Sequence, residues 1–246
     1  MNKILFTVVL AFFSSALLAG SSVSYTINGQ ELEGYFNEAI GQSKGLVVIV
    51  HDWDGLTDYE IKRSEMLSTM GYDVFAVDVY GKGNRPTTIA DKKAETKRLY
   101  TDREKMRVLI LGGLNEARKH SAKGVVVAGY CFGGAVTLEL ARSGKAGDIA
   151  GYASFHGGLA TPEGQSYAQN NSPIFIAHGG ADKSVKMNDV AALANELESH
   201  GNPYEIEIYS GAPHAFSVFG SKRYSETADR KSWAAFGDFL QEVLSK

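Results

Sequence analysis

Cysteine is nearly absent from this chain: one residue in 246. A single thiol can form neither an internal disulfide nor a cysteine-based zinc cage, which excludes a stapled miniprotein and a zinc finger and leaves the core to hold by packing. An excess of positive charge is missing too. With 25 Lys+Arg against 28 Asp+Glu the net charge is −3, so the chain lacks the basic stripe that marks a nucleic-acid partner. Long apolar runs are scarce. The one sustained run, residues 4–18, is shorter than the ~18–20 residues a membrane span needs. No repeat or low-complexity linker divides the sequence. What is present is an ordinary globular composition, 44% hydrophobic and 22% charged with 27 glycines. The length suits a single domain of the larger kind, able to bury roughly 70–75% of its unfolded surface.

The apolar run near the start follows a lone charge, Lys3, and gives way to the small residues Ala19, Gly20, Ser21 and Ser22. That order reads as a secretory signal peptide over residues 1–22, with cleavage among the small residues. Leu18-Ala19-Gly20-Ser21 resembles a lipoprotein cleavage box, but serine stands where the lipid-bearing cysteine is required. The expectation is an exported protein, periplasmic or secreted, comprising residues 23–246 and free of the membrane after cleavage.

Beyond the leader, residues 23–27 and 31–37 flank Asn28-Gly29, the dipeptide suited to a type I′ hairpin because both positions tolerate positive φ. Short, nearly continuous apolar runs recur at 46–50, 74–77, 125–128, 150–155, 174–177 and 206–209. Such runs read as strands buried on both faces, as in a parallel sheet. The segments between them, 59–70, 88–119, 135–142, 188–200 and 225–244, are helical by spacing and length, the second long enough for more than one helix. The pattern predicts one α/β domain: a mostly parallel central sheet with helices on both faces and a short N-terminal antiparallel hairpin.

The one cysteine lies in Gly129-Tyr130-Cys131-Phe132-Gly133-Gly134, between a predicted strand and a predicted helix. This is the cysteine form of the G-x-S-x-G nucleophile elbow in the strand-turn-helix setting the motif requires. The flanking glycines let a sharp turn pass close to neighbouring backbone. The helix start beside Cys131 offers free N–H groups and a positive dipole end, which predicts a lowered thiol pKa and a standing thiolate. A buried structural cysteine is the bland alternative; the glycine frame favours the nucleophile. The partners expected after it in chain order, an acid and then a histidine, are present. Asp182 follows the 174–177 run and His214 follows the run ending at Tyr209, so both fall beyond the carboxyl ends of strands, where open α/β sheets bind ligands. His214 would be the base and Asp182 its orienting acid. Of the other histidines, His120 and His200 read as solvated, and His51, His156 and His178 as hydrogen-bonded structural groups at strand ends. His51, Asp52 and Asp54 match no metal-ligand spacing. Trp53, just past the first long buried strand, and Phe132, just past the cysteine, are placed to offer backbone N–H groups to an oxyanion.

Cys131 in Gly-Tyr-Cys-Phe-Gly-Gly, Asp182 in His-Gly-Gly-Ala-Asp, His214 in Pro-His-Ala-Phe and the block Asp78-Val79-Tyr80 together resemble the dienelactone hydrolases, cysteine members of the α/β-hydrolase fold, from about Tyr25 to the C-terminus. The resemblance implies a Cys-His-Asp triad, no cofactor, and hydrolysis of a small-molecule ester or lactone through an acyl-enzyme. It also implies a carboxylate holding the resting thiol, a position matched by Asp52, and two arginines gripping the substrate carboxylate. At the first arginine position this chain has Gly81-Lys82-Gly83 followed by Arg85; at the second it has Val218, with Arg223 the nearest downstream alternative. Lys82 and Arg85 are therefore the candidate substrate-binding residues, although a lysine lacks the bidentate fork of arginine. A monomer or weak oligomer is expected. Competing readings are a thioesterase or small peptidase with the same triad, and a non-catalytic thiol sensor or binding module on the same fold.

Overall fold

A computed structural model describes residues 20–169 and 171–245, so most of the leader expected at 1–22, residues 1–19, lies outside the described residues. The hairpin forms as its sequence predicts, from β1 (Ser21–Ile27) and β2 (Gln30–Asn37), with Asn28 at φ 48° and Gly29 at φ 80° in the turn. Ser21 and Ser22, assigned to the leader on sequence, are already paired with Phe36 and Tyr35. The remaining strands are β3 (Leu46–Val50), β4 (Asp73–Val77), β5 (Val125–Tyr130), β6 (Gly151–Phe155), β7 (Ile174–Gly179) and β8 (Tyr204–Tyr209). One eight-stranded sheet results, in the order β1-β2-β4-β3-β5-β6-β7-β8, antiparallel only where β2 meets β1 and β4.

The continuous apolar character of the inner strands has a direct cause. Alternate side chains of β3 point to opposite faces, Leu46, Val48 and Val50 into one buried cluster and Val47 and Ile49 into the other. On the first face lie α3 (Arg103–Ala117), α4 (Phe132–Ser143) and α5 (Met187–Ser199); on the second, α1 (Asp58–Thr69) and α6 (Glu226–Leu244). Full burial of each such side chain is worth ~1.5–3 kcal/mol, and a charge introduced at Val48 would be held in the first cluster away from water. The predicted helical stretch at 88–119 is two helices, α2 (Ile89–Thr101) and α3. Asp102, at φ −115° and ψ 79°, ends the first and caps the second through its Oδ1, 2.9 Å from the Lys105 amide.

One local expectation changes. The helix after the elbow begins at Phe132, not at 135, because Gly133 and Gly134 serve as close-contact residues in the first turn rather than as a loop. His120 is exposed, as expected, and one face of its ring also stacks on Phe36 and Phe75 with centroid separations of 4.7 and 5.6 Å.

Candidate active site

Strand β5 runs straight into the elbow. Cys131 takes φ 51° and ψ −110°, a conformation that costs ~1–3 kcal/mol for a residue with a Cβ and persists only where surroundings hold it. The surroundings here are backbone. A Cβ at Gly133 would stand 2.2 Å from the Val50 carbonyl oxygen, one at Gly129 2.1 Å from that of Gly133, and one at Gly134 2.4 Å from Ser154 Oγ. Glycine at these positions lets the start of α4 sit directly against the end of β3. The Phe132 amide and the Trp53 loop are thereby brought to one side of Cys131, and Trp53 and Cys131 line the same cavity.

Cys131 Sγ lies 3.1 Å from His214 Nε2, and His214 Nδ1 lies 2.8 Å from Asp182 Oδ2. Asp182 Oδ1 accepts the Ser184 and Val185 amides at 2.7 and 3.0 Å. Burial pushes the Asp182 carboxyl up, but the bonds from His214 and Val185 outweigh it and hold the group below the usual carboxylate range. His214 sits on a loop pinned three residues later. The hydroxyl of Ser217 meets Tyr59 Oη at 2.7 Å and His156 Nε2 at 2.8 Å, and its carbonyl accepts Arg63 Nη2 at 2.8 Å. Arg63 is fully buried and ion-paired with Asp229 of α6. The three residues assigned from sequence to nucleophile, base and acid thus form one hydrogen-bonded line.

The thiol itself differs from expectation. Burial, then the nearby Asp52 carboxyl, push Cys131 up to about 12, against the lowering effect of the Phe132 N–H. The helix terminus does not outweigh desolvation, so the environment favours the protonated thiol. Its hydrogen-bond partner is His214 rather than Asp52. The Asp52 carboxyl lines the same cavity but turns to the Asp54 amide at 2.7 Å, and one methylene fewer than glutamate shortens its reach. Burial raises Asp52 to about 6.

The cavity above Cys131 has a volume of about 280 Å³ and is lined by Asp52, Asp54, Lys92, His214, Val218 and Arg223, among others. Lys82 and Arg85 do not line it. The Lys82 amide pairs with the Glu31 carbonyl and its Nζ reaches Ser24 Oγ at 3.2 Å, on the hairpin. Arg85 is consumed by the carbonyls of Leu56, Asn84 and Gly81 and by Asp78. The cations at the site are Lys92, paired with Asp54 at 2.7 Å, and Arg223. Lys92 lies in the first turns of α2 with no motif around it, so nothing local marked it. His51 is structural: its Nδ1 donates to the Asp52 carbonyl at 2.6 Å and its Nε2 accepts the Val79 amide at 3.2 Å. His178 is buried in β7, where desolvation holds it below its usual pKa.

A family model described as the dienelactone hydrolase family matches residues 32–244. The chain belongs to that family. The chain is 27% identical over 241 residues to Protein usf of Aquifex pyrophilus, an alignment covering 92% of this chain and 100% of that one. It is 23% identical to a Salmonella typhimurium protein named "Putative carboxymethylenebutenolidase", covering 94% of this chain and 90% of the other. Among solved structures, a dienelactone hydrolase-like promiscuous phosphotriesterase from metagenomic libraries superimposes with a TM-score of 0.81 at 26% identity, covering 91% of this chain and 98% of that one. Membership of the dienelactone hydrolases makes the protein a hydrolase of the ester and lactone class on the α/β-hydrolase fold. Among the described residues no helix is long and apolar enough to cross a membrane.

Proposed function

We propose that the protein is an exported ester or lactone hydrolase that works through an acyl-enzyme on Cys131. The observation that carries this reading is the unbroken line from Cys131 Sγ through His214 to Asp182, 3.1 and 2.8 Å, opening on the cavity. As Sγ bonds to the acyl carbon, His214 Nε2 takes the thiol proton, and Asp182 stabilises the imidazolium and fixes its tautomer. The carbonyl electron pair moves to oxygen, where the Trp53 and Phe132 amides receive it; one such donor is typically worth ~2.7–4 kcal/mol. Collapse breaks the C–O bond, and the departing alkoxide takes the proton from His214. In a lactone that alkoxide stays tethered to the acyl group. Water, deprotonated by His214, then attacks the thioester; the carboxylic acid leaves and the thiol is restored.

The raised thiol pKa fits a proton moved in step with attack, since general-base assistance of ~10²–10⁴-fold acts on a thiol that is not already ionised. A thiol oxidant sensor has no use for the ordered His214 and Asp182 partners, which favours the enzyme. Because the cations at the cavity are Lys92 and Arg223, with Val218 at the family's second arginine position, the substrate need not be the namesake dienelactone. Export rests on residues 1–22. Since β1 pairs from Ser21 onward, cleavage before Ser21 leaves the sheet whole.

The test is a stopped-flow burst with p-nitrophenyl acetate, with mass spectrometry of the trapped adduct. An acyl group on Cys131, and loss of burst and turnover in Cys131→Ala, are expected. A Cys131→Ala protein that hydrolyses the ester at the parental rate refutes the nucleophile. For export, the chain recovered from the periplasm or medium should begin between residues 19 and 23, whereas full-length chain in the cytosol refutes the leader.

A further inference from the structure

Glu60 is fully buried near the start of α1. Part of its position is ordinary helix chemistry: as the N3 residue of a capping box, its Oε2 accepts the Thr57 amide at 2.9 Å and meets the Thr57 hydroxyl at 3.0 Å. A capping box needs no more than that. The other oxygen, Oε1, reaches eight residues back and accepts the amide of Asp52 at 3.2 Å. One carboxyl group therefore clamps both ends of the loop 52–57, and Trp53 lies inside the clamp. The loop is tightened further by Asp54 N–H on Asp52 Oδ1 and by Gly55, whose φ of +84° and closeness to the Asn84 carbonyl leave no room for a Cβ.

Removing a carboxyl group from water without a cation beside it is costly. Among the described residues no ion pair involves Glu60, and burial, then the neighbouring Asp52, raise its pKa to about 8 despite the two amide bonds. A glutamine, or a cap left to solvent, would serve the helix alone. A group kept at this cost to stability, with one oxygen spent outside the helix it caps, has a second task.

We infer that Glu60 is a positioning residue for the oxyanion site: by holding the Asp52 and Thr57 amides it fixes the loop so that the Trp53 N–H points at the developing oxyanion. The inference rests on the acyl-enzyme reading above and adds a residue that never touches substrate. Its effect should appear in the acylation rate, where the oxyanion forms, and not in the readiness of the thiol.

The experiment compares parent, Glu60→Met and Glu60→Gln in the full chain. Methionine keeps the length and helix preference and removes both acceptors; glutamine keeps one carbonyl oxygen. The measurements are the p-nitrophenyl acetate acylation rate, KM and the rate of Cys131 alkylation by iodoacetamide, a displacement with no oxyanion. Glu60→Met should acylate at least about tenfold more slowly, short of the 10²–10³ that follows removal of a whole donor. Glu60→Gln should recover part of that loss, with KM and alkylation within twofold of the parent throughout. Acylation by Glu60→Met at the parental rate, or acylation and alkylation falling together, overturns the inference. If Glu60→Met does not fold, a Glu60→Gln protein acylating within twofold of the parent overturns it. Failure of the acyl-enzyme reading looks different, since then the parent itself forms no adduct on Cys131.

Discussion

Substituting Gly133 by alanine adds one methyl group where β3 and α4 touch. The new Cβ would lie 2.2 Å from the Val50 carbonyl oxygen and 2.5 Å from that of His51, both backbone, whereas real Cβ contacts do not fall below 3.0 Å. The two elements must therefore part by at least about 0.8 Å, and the Phe132 amide moves away from the loop that carries Trp53. A misplacement of about 1 Å in a catalytic constellation costs ~10²-fold in rate. Overpacking of this kind costs ~1–3 kcal/mol of stability, a fall in Tm of roughly 2–12 °C for a domain of this size. The discriminating control is the same change at the other end of the same helix. Gly144, at φ +62° with nothing within 4 Å of its Cβ position, should lose ~1–2 kcal/mol and no turnover per folded molecule. Steady-state hydrolysis of p-nitrophenyl acetate and thermal melts on both variants decide the matter. A Gly133→Ala protein that keeps parental kcat, or a Gly144→Ala protein that loses as much activity as Gly133→Ala, refutes the argument that backbone contact between β3 and α4 sets the oxyanion geometry.

Arg63→Met leaves the buried Asp229 carboxylate and the Ser217 carbonyl without their guanidinium, which should cost ~3–5 kcal/mol; adding Asp229→Leu should recover much of it, and a double variant less stable than the single one by urea unfolding contradicts this account. Stability should also carry an unusual pH dependence. Asp52 is raised by burial from 3.8 to about 6, so its protonated form favours the folded state fully below about pH 4, and that contribution is lost as pH rises through about 6. Asp182, held low, acts in the opposite sense, contributing above its unfolded pKa and losing that contribution only as acid takes the pH through its depressed folded value. Melts from pH 4 to 7 should show Asp52→Asn gaining on the parent as pH rises, and a constant difference between them refutes the assignment.

The sheet was legible because its inner strands are buried on both faces, which turns alternation into the unbroken apolar runs of β3, β4 and β5. The hydrogen-bonded line was legible because an elbow is a local object: glycine spacing, a strand before and a helix after. His214 and Asp182 followed from chain order alone. What escaped is what depends on distance. Lys92 comes from a segment far from the elbow in sequence with no motif around it, whereas Arg223 was reachable only as the nearest arginine downstream of Val218. Lys82 misled because its neighbours suggest a site while the backbone beyond Gly81, at φ 125°, pairs back onto the hairpin at Glu31. The thiol pKa was misjudged for a similar reason, as a helix terminus is visible in six residues and desolvation is a property of everything packed around them. Glu60 carries no mark in the sequence, since the amide of Asp52 is brought to it by the fold of the loop.

The pin beneath the His214 loop has a consequence for the order in which the site is completed. Arg63 is made early and its carboxylate, Asp229, belongs to the closing helix. A ribosome will already have added Cys131, Asp182 and His214 before Asp229 exists. Until α6 docks, the guanidinium that must sit under Ser217 has no counter-charge and the histidine loop has no floor. The floor beneath the His214 loop is thus completed last, by a helix made after every member of the Cys131–His214–Asp182 line.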